Sequence, residues 1–157
     1  MDLYFYPDQS GISYVEIHAA DTGGAVGVLP FIVIVYDPNR GNLALFKPVS
    51  ASSIEGTSTD TSFINDGLLD TRWSSAWADD QWLMIDLKDL FTINRFHLNW
   101  EFAFGLEYEV EVSLDKENWE RVYTEKNGDG KIDEITIEPV EARYVRLMGI
   151  KRGTEWG

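Results

Sequence analysis

Short segments in which apolar and polar residues alternate run through most of the chain. In Tyr108–Val112 the apolar residues can face a core while the glutamates between them face water. No window of useful length has the apolar spacing of an α-helix. The pattern therefore predicts an all-β fold, either an antiparallel sandwich or a barrel. Between turn signals, the predicted strands are Trp82–Leu87, Phe91–Trp100, Glu107–Leu114, Glu120–Glu125, Glu134–Glu138 and Arg143–Ile150.

The beginning of the chain has a pattern of its own. Residues Tyr14–Ala19 alternate and Phe31–Val35 form a compact apolar strand, with turn residues at Asp21–Gly24 between them. These positions resemble the last three strands of a bacterial cadherin-like, immunoglobulin-type repeat. We therefore expect residues 1–40 to comprise the C-terminal fragment of such a repeat plus a linker, and residues 41–157 to form the main domain.

Composition and charge narrow the classes of partner. The chain has 157 residues, is 44% hydrophobic and contains no cysteine, so disulfides and thiolate metal sites are excluded. A net charge of −14 argues against nucleic acid and disfavours anionic membranes, because both attract basic surfaces. No apolar run reaches the roughly 18 residues of a membrane span. The first residues lack the pattern of a signal peptide, so we interpret them as a boundary within a larger protein.

Several short motifs occur in a fixed order along the main domain. They are Asn42–Leu45, Pro48–Ser53, Asn65–Trp73, Gln81–Leu87 and Arg143–Leu147. Together they resemble the discoidin domain, also called the coagulation factor 5/8 type C domain, over residues 42–157. The resemblance is strongest to family 32 carbohydrate-binding modules of bacterial polysaccharide-degrading enzymes. It implies a galactose-binding-like, jelly-roll β-sandwich with a shallow site in the loops at one end.

Three further segments resemble the members of that family that bind amino sugars of the chitosan type or β-glucan. They are Ser53–Glu55, Asn99–Glu101 and Lys151–Gly157. The resemblance implies a non-catalytic module that holds a linked glycoside hydrolase against an oligo- or polysaccharide. It also implies a secreted, periplasmic or cell-surface protein. Family members continue past this last segment into a closing strand, so we expect that strand to be truncated here.

Tryptophans and acids next to predicted loops are the candidate sugar-binding residues. Sugar recognition needs a flat apolar face under the pyranose ring and planar polar groups for its hydroxyls. Trp73, Trp82 and Trp119 are interpreted as structural. Alternatively, the remaining tryptophans also pack under the loops as part of the core. The predicted carbohydrate-binding residues are Glu55, Trp77, Trp100, Glu101 and Trp156.

The turn Asp66–Thr71 offers hard oxygen donors. A carboxylate, a hydroxyl and carbonyl groups suit calcium, which takes six to eight oxygen ligands. The resemblance implies a structural calcium held by Asp66, Thr71 and the carbonyls of Phe63 and Leu68. The alternative is a turn closed by the side chains of Asp66 and Thr71 alone. A second acidic segment, Asn127–Asp133, lacks the bidentate glutamate of a calcium-binding EF-hand loop and predicts a glycine-rich hairpin turn.

Catalysis has little support in the sequence. Glu55 and Glu101 could form the acid pair of a glycosidase only at a separation of roughly 5–10 Å, which a sequence does not give. The competing class is a discoidin module for cell adhesion or for binding membranes or proteins. Such modules use apolar and basic loop residues, whereas residues 42–157 show no basic cluster. A third alternative is a purely structural spacer, which would bind no glycan.

Overall fold

The computed structural model describes residues 11–20, 26–35 and 41–156. The chain divides into two compact units, Met1–Leu43 and Ala44–Gly157. Within the described ranges no helix is both long and apolar enough to span a bilayer.

The first unit contains an antiparallel pair of strands. Strand β1 spans Gly11–Ala20 and strand β2 spans Val26–Val35, with Gly11 opposite Val35. Both predicted apolar segments thus lie within strands. The assignment to a cadherin-like repeat stays a prediction, and the predicted linker lies outside the described residues.

The second unit is built from five antiparallel strands, which confirms the predicted all-β class. The strand order is β3–β4–β7–β5–β6, so β7 lies between β4 and β5. Two short 3₁₀ turns, Thr57–Thr59 and Thr61–Phe63, lie in the long loop before β4. The strands are β3 (Val49–Ala51), β4 (Gln81–Asn99), β5 (Gly105–Ser113), β6 (Glu120–Glu125) and β7 (Ile132–Arg152).

Strands β4 and β7 each join two of the predicted strands. The pairing of β4 with β7 shifts register between Asp86 and Phe91, where Lys88 has a φ of 71°. The polar residues at this point end the apolar alternation, but backbone pairing resumes at Phe91 opposite Ala142. A break in side-chain pattern therefore marks a bulge in one continuous strand rather than a loop.

The hydrophobic core forms where the middle of β5 lies against β7. Tyr108, Val110 and Val112 are buried, as their alternation with glutamates predicts. Tyr108 and Val110 cluster with Ile135 of β7. This core holds together the central strands of the sheet, and the loops of the site connect to those strands.

The pairing of β5 with β7 defines two ends of the sheet. Gly105 at the start of β5 pairs with Arg152, whereas Ser113 at its end pairs with Tyr144. Gln81, the first residue of β4, pairs with Gly149, so it lies at the same end as Arg152. The loops before β4 and after β7 therefore meet at one end of the sheet.

Candidate functional site

A hub of hydrogen bonds around Ser53 holds the loops at the Arg152 end. The Ser53 hydroxyl donates to the Gln81 side chain and accepts from the Ala76 backbone N–H at 2.8 Å. The Trp73 indole N–H donates to the Ser53 carbonyl at 3.0 Å. The Glu55 loop and the loop that precedes β4 are thereby tied to the first residue of β4. Trp73 is partly buried, and its structural role stays a prediction.

Glu55 and Trp77 contact each other directly. The Trp77 indole N–H donates to Glu55 Oε1 at 2.9 Å, and the Glu55 backbone N–H donates to the Ser74 carbonyl at 2.8 Å. Side-chain hydrogen bonds from Ser74 and Trp77, with the charge of Arg72, hold the pKa of Glu55 below its usual range. Glu55 is therefore a fixed carboxylate that keeps its charge in mildly acidic solution. The Trp77 ring stays 56% exposed.

Trp156 completes an aromatic corner with Trp77. The two ring centroids are 4.9 Å apart and the ring planes meet at 86°. Trp156 is 41% exposed, so the pair faces solvent and is not part of the core. Edge-to-face contact of this kind is a preferred geometry for aromatic rings. The corner offers a ligand a flat indole face with a second ring beside it.

Arg72 is close to Glu101, and its charge also reaches Glu55. The Arg72 Nε is 4.0 Å from Glu101 Oε2. The Phe102 backbone N–H donates to the same Glu101 oxygen at 2.7 Å. Arg72 and Glu101 are both about half exposed. Two carboxylates around one guanidinium leave the site with a net negative charge.

Trp100 belongs to a different environment from the corner. Its indole N–H donates to Asp133 Oδ2 at 2.7 Å, and the Tyr108 hydroxyl donates to the same oxygen at 2.6 Å. The Trp100 and Tyr108 rings are 5.4 Å apart, and Trp100 packs against the core cluster. The structure thus does not bring Trp100 together with Trp77 and Trp156. Its predicted contact with sugar stays a prediction.

The predicted calcium turn brings three of its four oxygen donors together. The Thr71 hydroxyl contacts both Asp66 carboxylate oxygens, at 3.0 and 2.8 Å, and lies 3.5 Å from the Leu68 carbonyl. The Leu68 backbone N–H also donates to Asp66. Phe63 lies at the end of the preceding 3₁₀ turn. Across residues 41–156, no three histidine, cysteine or acidic side chains form a metal-binding group. One carboxylate, one hydroxyl and carbonyl groups nevertheless fit the hard-oxygen chemistry of calcium.

Three charged residues of the site did not stand out in the sequence as functional. Arg72 was visible only as one letter of a family motif. Asp79 contacts Arg152 across 73 positions of sequence, and no local pattern links two residues so far apart. The neighbouring pair Asp79 and Asp80, next to Trp77, was the only available signal.

The chain matches the family model for NedA-like galactose-binding domains over residues 63–147. Among solved structures it is similar to chitosan-binding module 1 of a chitosanase/glucanase from Paenibacillus sp. IK-5, with 46% sequence identity and a TM-score of 0.73. That similarity covers 75% of this chain and 92% of the module. Module 2 of the same enzyme, solved in complex with chitotriose, is 40% identical with a TM-score of 0.72, over 74% of this chain and 92% of the module.

The polysaccharide lyase 8 family protein HylA of Enterococcus faecalis is also similar. The identity is 31% over an alignment of 122 residues, and the match covers 70% of this chain but only 9% of HylA. The chain therefore spans a small part of that relative's length. The fold, the family model and the two modules agree with the predicted discoidin resemblance and with a galactose-binding-like β-sandwich. The chain belongs to the family of NedA-like, F5/8 type C galactose-binding domains.

Proposed function

We propose that this domain is a non-catalytic carbohydrate-binding module whose ligand is an oligosaccharide of the chitosan type. The observation that carries the proposal is the joined group of Glu55, Trp77 and Trp156, with Arg72 and Glu101 beside it. This group lies on a domain 46% identical to a chitosan-binding module. Family membership supports the absence of catalytic function, since the similar modules are accessory parts of larger enzymes.

The aromatic corner supplies the apolar part of sugar recognition. An exposed indole face can cover the axial C–H groups of a pyranose ring, while the second indole limits where the ring can lie. Trp77 is fixed in two ways, by its N–H bond to Glu55 and by the edge-to-face contact with Trp156. A platform already held in place loses little side-chain entropy when the sugar binds.

Glu55 and Glu101 supply the polar part. A carboxylate has about four lone-pair positions, so Glu55 can accept bonds from a ligand in addition to the Trp77 indole. The ammonium group of a glucosamine unit would form charge-assisted hydrogen bonds with these acids. Arg72 offers its donors to ring or hydroxyl oxygens and keeps the two carboxylates from repelling each other. The negative charge of the whole chain adds a field that attracts cationic oligomers.

The pKa of Glu55 sets the pH range for this pairing. Because its pKa lies below the usual value, Glu55 stays ionised as the pH falls and loses its charge only below that lowered pKa. The sugar ammonium loses its proton as the pH rises through its own pKa. We therefore expect affinity to be highest between these two values and to fall on both sides.

Calorimetric titration with chitosan oligomers, their N-acetylated forms and β-1,3-glucan oligomers tests the proposal. The variant Glu55→Gln should lower affinity for chitosan oligomers about two- to fivefold, as expected for an exposed charge pair. Glu117→Gln is the matched control, because Glu117 is an exposed acid in the turn after β5. This turn follows Ser113, which lies at the opposite end of the β5–β7 pairing from Arg152. Wild-type affinity should also weaken with salt, because exposed charges are screened over about 8–10 Å.

The results of these titrations distinguish a wrong choice of sugar from a wrong assignment of function. Preference for acetylated or neutral sugars, or equal affinity in Glu55→Gln and wild type, would contradict charge pairing but leave a carbohydrate-binding role. Absence of binding to any of the three oligomer classes would contradict the carbohydrate-binding function itself.

The proposal extends to the setting of the domain. The similar chitosan-binding modules come from a chitosanase/glucanase, and HylA is a polysaccharide lyase family protein. By analogy, this module would be linked to a polysaccharide-degrading enzyme in the secreted, periplasmic or cell-surface space. Linkage would raise the effective concentration of the catalytic domain at its substrate.

The turn at Asp66 completes the proposal with a structural calcium. Asp66, Thr71 and the carbonyl of Leu68 converge within hydrogen-bond distance and would hold the ion, with Phe63 as a further carbonyl donor. Thr71 immediately precedes Arg72 in the chain. A cation in this turn would therefore stiffen the segment that carries Arg72 into the site.

A further inference from the structure

Trp77 and Trp156 come from two loops far apart in sequence. Trp77 lies in the loop that leads into β4, and Trp156 lies four residues after the end of β7. Both rings are substantially exposed, so core packing does not hold them against each other. A ring pair on two loops keeps its geometry only if the loops themselves are fixed.

One ion pair joins these two loops. Asp79 Oδ1 accepts from the Arg152 backbone N–H and from its side-chain Nε, each at 3.1 Å. Arg152 continues the connection, because its guanidinium donates to the Glu155 carbonyl at 2.8 Å. Asp79 is two residues after Trp77, and Glu155 directly precedes Trp156. The contacts thus form a continuous link from one tryptophan loop to the other.

The backbone next to this link leaves little room for rearrangement. The Gly153 N–H donates to the Phe104 carbonyl at 2.8 Å, and a Cβ at Gly153 would overlap the Phe104 ring. The chain after β7 is therefore held close to Phe104 as it turns toward Trp156. Asp79 keeps its charge in this setting, since the Arg152 hydrogen bonds and charge hold its pKa below the usual value.

We propose that Asp79 and Arg152 are positioning residues that hold Trp77 and Trp156 in their perpendicular arrangement, and so set the shape of the aromatic corner. Neither residue needs to contact the ligand for this role. The consequence for binding rests on the proposed carbohydrate-binding function, whereas the positioning of the two rings does not.

Three single variants test the proposal. Asp79→Asn and Arg152→Gln each weaken the link but change the net charge in opposite directions. A long-range effect on a cationic sugar would therefore move affinity in opposite directions, whereas a loosened corner lowers affinity in both. Asp80→Asn is the matched control, because the exposed Asp80 carboxylate has no partner among residues 41–156 and its φ of 58° suits asparagine. Thermal melts verify that each variant is folded.

The measurements are calorimetric affinity for chitosan oligomers and the near-ultraviolet circular dichroism of the tryptophan pair. We expect Asp79→Asn and Arg152→Gln each to lower affinity about three- to tenfold, as for releasing one or two ordered side chains, and to weaken the tryptophan signal. Asp80→Asn should stay within twofold of wild type with an unchanged signal. In a Trp156→Ala background, the effect of Asp79→Asn on affinity should disappear.

Three results would overturn the proposal: equal behaviour of Asp79→Asn and Asp80→Asn, opposite affinity changes in Asp79→Asn and Arg152→Gln, or an undiminished Asp79→Asn effect in the Trp156→Ala background. If wild type binds no oligomer, the proposed function fails, and the dichroism of Asp79→Asn against Asp80→Asn alone decides the positioning role.

Discussion

Two tryptophan environments in the same domain differ in exposure, and only one of them belongs to the proposed binding surface. Trp77 and Trp156 meet edge to face in solvent, and Trp77 donates its N–H to the exposed acid Glu55. Trp100 also donates its N–H to a carboxylate, but that acid is Asp133, which Tyr108 binds as well. The indole N–H groups of Trp77 and Trp100 both donate to a carboxylate, so this bond does not distinguish the two environments. What differs is exposure: Trp77 is 56% exposed, whereas Trp100 packs against the core cluster.

The difference has a consequence for how carbohydrate sites are recognised. Asp133 already accepts from the buried Tyr108 hydroxyl and from the partly buried Trp100 indole, so two of its lone-pair positions are occupied. Glu55 is fixed by its neighbours yet remains at the surface, where a ligand can reach it. We therefore expect a tryptophan beside an acid to take part in sugar binding only where the pair is exposed, as Glu55 and Trp77 are.

The largest predicted effect tests this contrast through stability. Trp100→Ala removes a large ring from the core cluster and leaves Asp133 with one donor fewer, so we expect a loss of about 3–5 kcal/mol in the free energy of unfolding. Trp77→Ala, at an exposed position, should lose less than about 1 kcal/mol while weakening sugar binding. Urea denaturation of both variants measures the difference. Equal losses of stability would contradict the division into core and surface tryptophans.

The strands were predictable from sequence because the alternation of Tyr108, Val110 and Val112 with glutamates reports one buried face directly. Their continuity was not, since the polar residues after Asp86 look like a loop although pairing resumes at Phe91. The extended backbone tolerates a bulge that the side-chain pattern cannot distinguish from a turn.

The site was predictable in part, for a related physical reason. Glu55, Trp77 and Trp156 were selected by their residue types and loop positions, and the structure joins them. Trp100 meets the same criteria but packs against the core cluster and bonds to Asp133, 33 positions away, so its role in sugar binding stays a prediction. Contacts at that distance depend on the register of β4 against β7, which local patterns do not determine.

The second prediction concerns calcium at the turn that contains Asp66. A ligand that binds only the native state adds about 2.7 kcal/mol of stability at a hundredfold excess over its Kd. We expect chelator to lower the melting temperature of wild type, but not of Asp66→Ala. Sugar affinity should also fall when calcium is removed, because Thr71 of the calcium turn directly precedes Arg72 of the proposed site. The near-ultraviolet signal of Trp100, which packs against the core cluster, should stay unchanged. Identical melting of wild type with and without chelator would contradict the calcium site.

The smallest predicted effect concerns the first unit of the chain. Every residue of the proposed site, from Ser53 to Trp156, belongs to the unit Ala44–Gly157. Both tryptophan environments are also within that unit, so removal of residues 1–36 should leave their spectra unchanged. We expect affinity for chitosan oligomers to stay within about twofold, a difference of roughly 0.4 kcal/mol. Calorimetry and near-ultraviolet dichroism of the shortened chain measure both quantities. A larger loss of affinity with an intact tryptophan signal would mean that the first unit supplies part of the binding surface, and the site would then extend beyond the sandwich.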